Sequence, residues 1–207
     1  MKILLTNDDG INAAGIKTLH DRLSDQADVT VVAPIDDQSA VGRQLSGTVE
    51  LHDHELGHAV EGTPADCVIA AVGSLDFDPD LVVAGCNQGA NLGSYVLGRS
   101  GTVSAAVEAT FFDIPAIAVS VYFPGDEFVF DRFTPGPAHF REAVNAVAYL
   151  AERAPDADVF ETTDYLNVNA PLPPDAGTVP MEITRPSEVY QMGAERDGDT
   201  VEITDGI

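Results

Sequence analysis

Asp8 and Asp9 stand side by side at the end of an apolar run, in MKILLTNDDG. Adjacent carboxylates beside a buried strand repel each other, and a bound cation relieves that repulsion. Two later loops carry oxygen donors of the same hard type, Ser39 in IDDQSAVGR and Asn87 in CNQGANLG. Two carboxylates, a hydroxyl and an amide oxygen suit one divalent ion per subunit, Mg²⁺ or Mn²⁺, rather than zinc. Ser100, Gly101 and Thr102 add a second element, because they open an expected helix. Its first turn offers free N–H groups and the positive end of the macrodipole, Gly101 lets an anion come close, and the two hydroxyls add donors. Asn91, in the same glycine-rich loop as Asn87, completes the candidate phosphate-binding set. Metal and phosphate cradle together describe a hydrolase of phosphate esters, with Asp8 and Asp9 as the catalytic pair.

Each feature also has a plainer reading. Paired Asp residues after a strand serve as turn or cap residues, asparagines in glycine-rich loops tolerate left-handed backbone, and Ser-Gly-Thr is a common helix start. The chemical reading gains from placement. All four features follow expected strands, and in open α/β sheets ligands bind beyond the carboxyl ends of the strands. His52, His54 and His58 fall in an expected hairpin and His20 on a helix face, so they read as solvated positions. Cys67 and Cys86 lack CxxC spacing and read as buried free thiols.

The elements that must position these groups alternate. Residues 2–6, 28–34, 80–85, 115–121 and 165–171 read as short strands, the inner ones continuously apolar as in strands buried on both faces. Helical spacing places Ile16, Leu19 and Leu23 on one face of residues 14–25, Pro64 in the first turn of a helix, Ser100 as a cap, and Phe140, Val144, Val147 and Leu150 along residues 136–153. Residues 46–60 read as a β-hairpin. The fold class expected is α/β, a Rossmann-like doubly wound and mostly parallel sheet. After residue 175 the rhythm changes to short β-like stretches at 178–186, 188–198 and 200–206. The chain therefore divides into a core of residues 1–175 and a β-hairpin extension, 176–207, expected to serve oligomerisation.

At 207 residues with 44% hydrophobic content the chain is long enough for a substantial core. Its 34 acidic residues against 10 basic ones give a formal net charge of -24. Self-repulsion of that size points to a solvent of high ionic strength, and the sign of the charge disfavours nucleic-acid polymers as partners. Residues 3–5 are the whole of the N-terminal apolar stretch and no run reaches the length of a spanning helix, so a cytoplasmic protein without membrane contact is expected.

The stretches MKILLTNDDGINAAGI, VVAPIDDQSAVGRQLS, EGTPADCV, PDLVVAGCNQGANLG and SGTVSAAVEATFFDIPAIAVS resemble, in order and spacing, the survival protein E (SurE) family of 5'/3'-nucleotidases. The likeness is dense over residues 1–122 and thin beyond. It implies a Rossmann-like core, a divalent metal at Asp8, Asp9, Ser39 and Asn87, hydrolysis of nucleoside monophosphates, and a homodimer or dimer of dimers joined through a C-terminal β-extension. Arg43, Ser94 and Arg99 depart from the residues common in the family, and the chain stops at Ile207, short of the family's usual closing segment. Two other readings stay open at the level of sequence. One is a non-catalytic module that binds a nucleotide or phosphate, and the other a phosphatase working through an aspartyl-phosphate. The latter class favours a D-x-D spacing where this chain has adjacent carboxylates, and a phosphoacceptor receiver domain would need a late Lys, whereas Lys17 is the last one.

Overall fold

In a computed structural model of the chain, residues 1–124, 133–174, 177 and 179–205 are described. The elements run β1 (Lys2–Thr6), α1 (Ala14–Leu23), β2 (Asp28–Pro34), β3 (Leu51–His54), β4 (Gly57–Val60), α2 (Pro64–Ser74), β5 (Leu81–Gln88), α3 (Ser94–Leu97), α4 (Gly101–Thr110), β6 (Ala116–Tyr122), α5 (Arg141–Arg153), β7 (Tyr165–Pro171), β8 (Met192–Asp197) and β9 (Thr200–Asp205). Seven strands form one sheet in the order β3-β4-β2-β1-β5-β6-β7, and β8 pairs with β9 in a separate antiparallel hairpin. Within the large sheet only the β3–β4 pair is antiparallel.

Strand periodicity explains the two layers of core. Successive side chains leave a strand on opposite faces. Ile3 and Leu5 of β1, Val31 and Ala33 of β2, and Ile117 and Val119 of β6 pack under α1 and α5, against Leu19, Leu23, Val144 and Val147. The intervening Leu4, Val32 and Ala118 face the other way, onto α2 and α4 with Val68, Ala71, Val103 and Ala106. An inner strand with both faces covered needs apolar residues at every position, which is why these segments read as unbroken runs. Close approach decides the rest: a Cβ on Gly15 would collide with the carbonyl oxygen of Cys86, so glycine lets α1 lie directly on β5.

The caps are local. Thr63 accepts from the Asp66 backbone N–H at 3.2 Å, while Asp66 accepts from the Thr63 N–H at 2.9 Å, with Pro64 in the first turn. Burial would raise the Asp66 carboxyl, but donors from Thr63 and Ser46 outweigh it and hold it below its ordinary value.

Two sequence expectations change. The strand expected over residues 80–85 continues to Gln88 as β5, through an irregularity in its pairing with β6 between Ala84 and Asn87. Asn87 therefore lies at the end of a strand opposite Ser120, and not in the loop beyond it. In the tail, β8 and β9 form the expected hairpin, but the described residues between 179 and 186 form no strand. Pro180 and Pro186 lack the N–H a ladder needs, and residues 179–184 instead close one side of a cavity of about 550 Å³ against α5 and β7. The expected boundary at residues 175 and 176 lies outside the described residues.

The two edges of the large sheet differ. β3 is exposed at Leu51, His52 and Asp53, and with Glu50 and Glu61 it presents mostly charged or polar groups. The β7 edge carries Tyr165, Leu166, Asn167, Val168 and Asn169, all half-buried and none charged.

Candidate active site

The first strand ends in a turn braced by its own side chains. Asn7 Nδ2 donates to the Gly10 carbonyl at 2.8 Å, and Gly10 adopts φ 91°, where a Cβ would lie 3.3 Å from the Asp36 backbone. The Gln38 N–H donates to the Asp8 carbonyl at 2.7 Å, so the loop after β2 is tied to the end of β1. Parallel neighbours β2, β1 and β5 then release their loops on the same side of the sheet. The result is a cleft of about 580 Å³ with Asp8, Asp9, Asp37, Ser39, Asn87 and Ser100 on its walls.

Asp8 is 3% exposed. Its Oδ1 accepts from the Thr102 hydroxyl at 2.6 Å and its Oδ2 from the Thr102 backbone N–H at 3.1 Å. The start of α4 thus cradles a carboxyl group, that of Asp8. Gly101 makes this possible, because a Cβ there would lie 2.8 Å from the Asp8 Cβ. Asp9 turns toward β5, where its Oδ2 accepts from the Gln88 N–H at 3.1 Å. Burial raises the Asp8 carboxyl above its usual range despite the Thr102 donors. Asp9 is pushed up to about 7, by burial first and by the charge of Asp8 second, against the Gln88 hydrogen bond.

Asp37 adds to the repulsion at both carboxylates, and sequence reasoning missed it. The signal was there: Asp36-Asp37 is a second acidic pair after a strand, two residues before Ser39. Asp37 Oδ1 accepts from the Ser39 N–H at 2.7 Å, and the following Ala40 has φ 59°. Ser39 itself is exposed at the cleft mouth.

Of the expected metal set, then, Asp8, Asp9, Ser39 and Asn87 all border one cleft. They fit a hard cation on their own chemistry. Asn87 Nδ2 donates to the Gly89 carbonyl, which leaves its amide oxygen as the end able to ligate. One buried and one half-buried carboxylate with a third nearby lack compensation, since Arg99 is the sole positive side chain on the cleft wall among the described residues. A separate trio, Glu50, His52 and Glu61, brings ligand atoms within 4.8 Å of one another, but on the exposed β3 edge and away from the cleft.

The expected phosphate set is only partly available. Thr102 gives both its donors to Asp8 and is fully buried, so it is corrected from phosphate ligand to holder of Asp8. Gly101 serves the same contact. Asn91 is likewise committed: its Nδ2 donates to Ser120 Oγ at 2.9 Å, its N–H to Asn169 Oδ1 at 2.7 Å, and its carbonyl accepts from Asn167 and Asn169. It stitches the loop to β6 and β7. Ser100 remains on the wall, with its oxygen accepting from the Val103 N–H at 3.1 Å and its hydroxyl hydrogen free to be donated.

Arg43 and Arg99 differ in their commitments. Arg43 lies 3.7 Å from Glu108 and 4.8 Å from the centre of the Phe111 ring. Arg99 lies over Tyr95 at 5.3 Å and donates to Met192 Sδ at 3.8 Å.

A family model described as Survival protein SurE matches residues 3–192. The 5'-nucleotidase SurE of Natronomonas pharaonis is 69% identical over 207 residues, covering 100% of this chain and 80% of that protein. The protein of the same name from Haloarcula marismortui is 59% identical, covering 99% of this chain and 76% of its own length. Both relatives come from halophilic archaea. The crystal structure of the SurE protein of Aquifex aeolicus superposes with a TM-score of 0.81 at 29% identity, covering 99% of this chain and 82% of that one.

Proposed function

The chain belongs to the survival protein SurE family, and on that footing we propose that it is a phosphatase that removes phosphate from nucleoside 5'-monophosphates, and from 3'-monophosphates as well. What supports this reading most is the meeting of Asp8, Asp9, Ser39 and Asn87, from three different loops or strand ends, around one cleft. Those four residues would hold one Mg²⁺ or Mn²⁺ ion. Bound there, a divalent ion supplies Lewis-acid polarisation of the phosphoryl group and acidifies water.

The protein groups do the rest. Asp8, fixed from both sides by Thr102, keeps a negative charge at a set position and orients the proton of an incoming water. The adjacent placement of Asp8 and Asp9, in place of a D-x-D spacing, supports water over an aspartyl-phosphate as the route of attack. The Ser100 hydroxyl donates to a phosphate oxygen, close to the positive end of α4.

The direct test is phosphate release from AMP, GMP and 3'-AMP in molar KCl with Mn²⁺ or Mg²⁺, repeated with chelator. Release with metal and none with chelator is expected. Nucleotide binding without any release would establish the non-catalytic reading instead.

The division of labour between a catalytic core, 1–175, and an extension, 176–207, belongs to the same proposal, as does action in the cytoplasm. None of the helices among the described residues is long and apolar enough to cross a membrane. The side chains described in β8 and β9 are exposed apart from the half-buried Met192, and an isolated hairpin is marginal in water. We therefore expect it to pair with a second subunit in a dimer or dimer of dimers. Light scattering of the full chain and of a variant lacking residues 192–205 checks this, and a monomeric full chain would refute it.

A further inference from the structure

Arg99 stands out in a chain with so few cations. Arg43, Arg141, Arg153 and Arg196 each lie within 4.0 Å of a carboxylate, while Arg22 and Arg185 form no ion pair among the described residues but lie outside the carboxylate-lined cleft. Arg99 forms no ion pair among the described residues, although Asp8, Asp9 and Asp37 border the same cleft. Its partners are soft ones, the face of Tyr95 and the thioether of Met192. Those contacts hold the guanidinium plane and leave most of its five strong donors unmatched. The backbone is pinned: the Arg99 N–H donates to the Val96 carbonyl at 2.8 Å, and the Arg99 carbonyl accepts from the Gly42 N–H at 2.9 Å. The next residue, Ser100, caps the helix that grips Asp8, so the base of the Arg99 side chain is fixed relative to the carboxylates.

Charge counting says what those donors are for. A divalent ion offsets two of the three carboxylates, and an arriving phosphate monoester adds up to two further negative charges. A second cation is needed, and among the described residues Arg99 alone on the cleft wall supplies one. We propose that Arg99 binds the phosphate group of the substrate, its guanidinium fork donating to phosphate oxygens, as a binding residue of the nucleotidase reaction. This rests on the nucleotidase reading above. The fork geometry suits phosphate oxygens better than an ammonium does.

The test compares Arg99→Gln, Arg99→Lys and, as a control for net charge, Arg153→Gln, whose parent side chain is exposed and paired with Glu152. KM and kcat for AMP with Mn²⁺, and the inhibition constant of inorganic phosphate, are measured in molar KCl, where screening leaves only close contacts effective. Arg99→Gln is expected to raise KM and the phosphate inhibition constant together by roughly tenfold or more, with kcat changed less than about threefold. Arg99→Lys should recover part of the loss, and Arg153→Gln should match the parent protein. An unchanged KM and phosphate constant in Arg99→Gln overturns the proposal, as does an equal shift in Arg153→Gln. If the parent protein releases no phosphate from any nucleotide, the nucleotidase reading fails by itself. The rise in melting temperature that inorganic phosphate produces with Mn²⁺ then decides: its loss in Arg99→Gln but not in Arg99→Lys upholds the anion site, and its persistence or absence throughout rejects it.

Discussion

Asp8→Asn is expected to slow turnover on the order of 1,000-fold at saturating Mn²⁺, whereas Asp9→Asn should lose activity that added Mn²⁺ partly restores. The difference comes from how the two carboxylates are held. Asp8 accepts from the Thr102 N–H and hydroxyl at 3.1 and 2.6 Å, so an amide in its place turns an NH₂ toward a donor and removes a charge that no concentration of metal replaces. Asp9 has one hydrogen bond, from Gln88, and its loss weakens ion binding more than it disturbs the surrounding geometry. The stability of metal-free protein should move in the opposite direction. Asp9 has an ordinary value of 3.8 and is raised to about 7, by burial and then by Asp8. Between about pH 4 and 7 the folded protein therefore keeps a proton that the unfolded chain has released, and stability falls as pH rises through that window. Asp9→Asn removes Asp9's share of this slope, leaving that of Asp8, so in chelator at pH 8 its melting temperature should exceed that of the parent protein, while at pH 4 the two converge. Calorimetry from pH 4 to 8 checks it. Equal turnover of both Asn variants and the parent at ordinary metal levels would sink the site assignment, and an unchanged slope in Asp9→Asn would sink the account of the carboxylates.

The second large effect is salt. With a net charge of -24, and acidic side chains such as Asp21, Asp53 and Asp199 projecting almost wholly into solvent, the folded state suffers from self-repulsion that close ion pairs do not offset. Raising salt from 0.1 to 1 M shortens the reach of charge from about 10 Å to about 3 Å. The melting temperature is expected to rise on the order of 10 °C over that range, which a stabilisation of a few kcal/mol produces in a chain of this size. The relatives from halophilic archaea fit the same physical setting. A melting temperature that stays flat from 0.1 to 1 M KCl would refute the explanation.

How far the molecule could be read from its sequence depends on how local each signal is. β1, β2 and β6 were legible because strands covered on both faces must be apolar throughout, and α2 because Pro64 suits a helix's first turn. The convergence of Asp8, Ser39 and Asn87 was legible too, since parallel strands send their loops to one side. The role of Thr102 was not. A helix start looks the same in sequence whether its N–H groups await a ligand or hold a carboxylate 94 residues away. Nor could sequence show that Asn91, on the cleft wall, is also tied to Ser120 and Asn169 in later strands. Residues 179–186 alternate like a strand, but alternation cannot reveal that a neighbouring edge is lacking, and Pro180 and Pro186 should have weighed more.

The unlike edges of the large sheet make it directional. An edge strand is a template for further pairing unless its side chains prevent it. At β3, another strand would have to settle beside Glu50, Asp53 and Glu61, so two copies of that edge repel each other across the distance a ladder requires. β7 carries no charge of its own, but Glu142 and residues 179–184 line the cavity beside it, and Pro171 limits its last rung. The molecule is thus guarded against strand addition by charge on one flank and bordered by its own tail on the other.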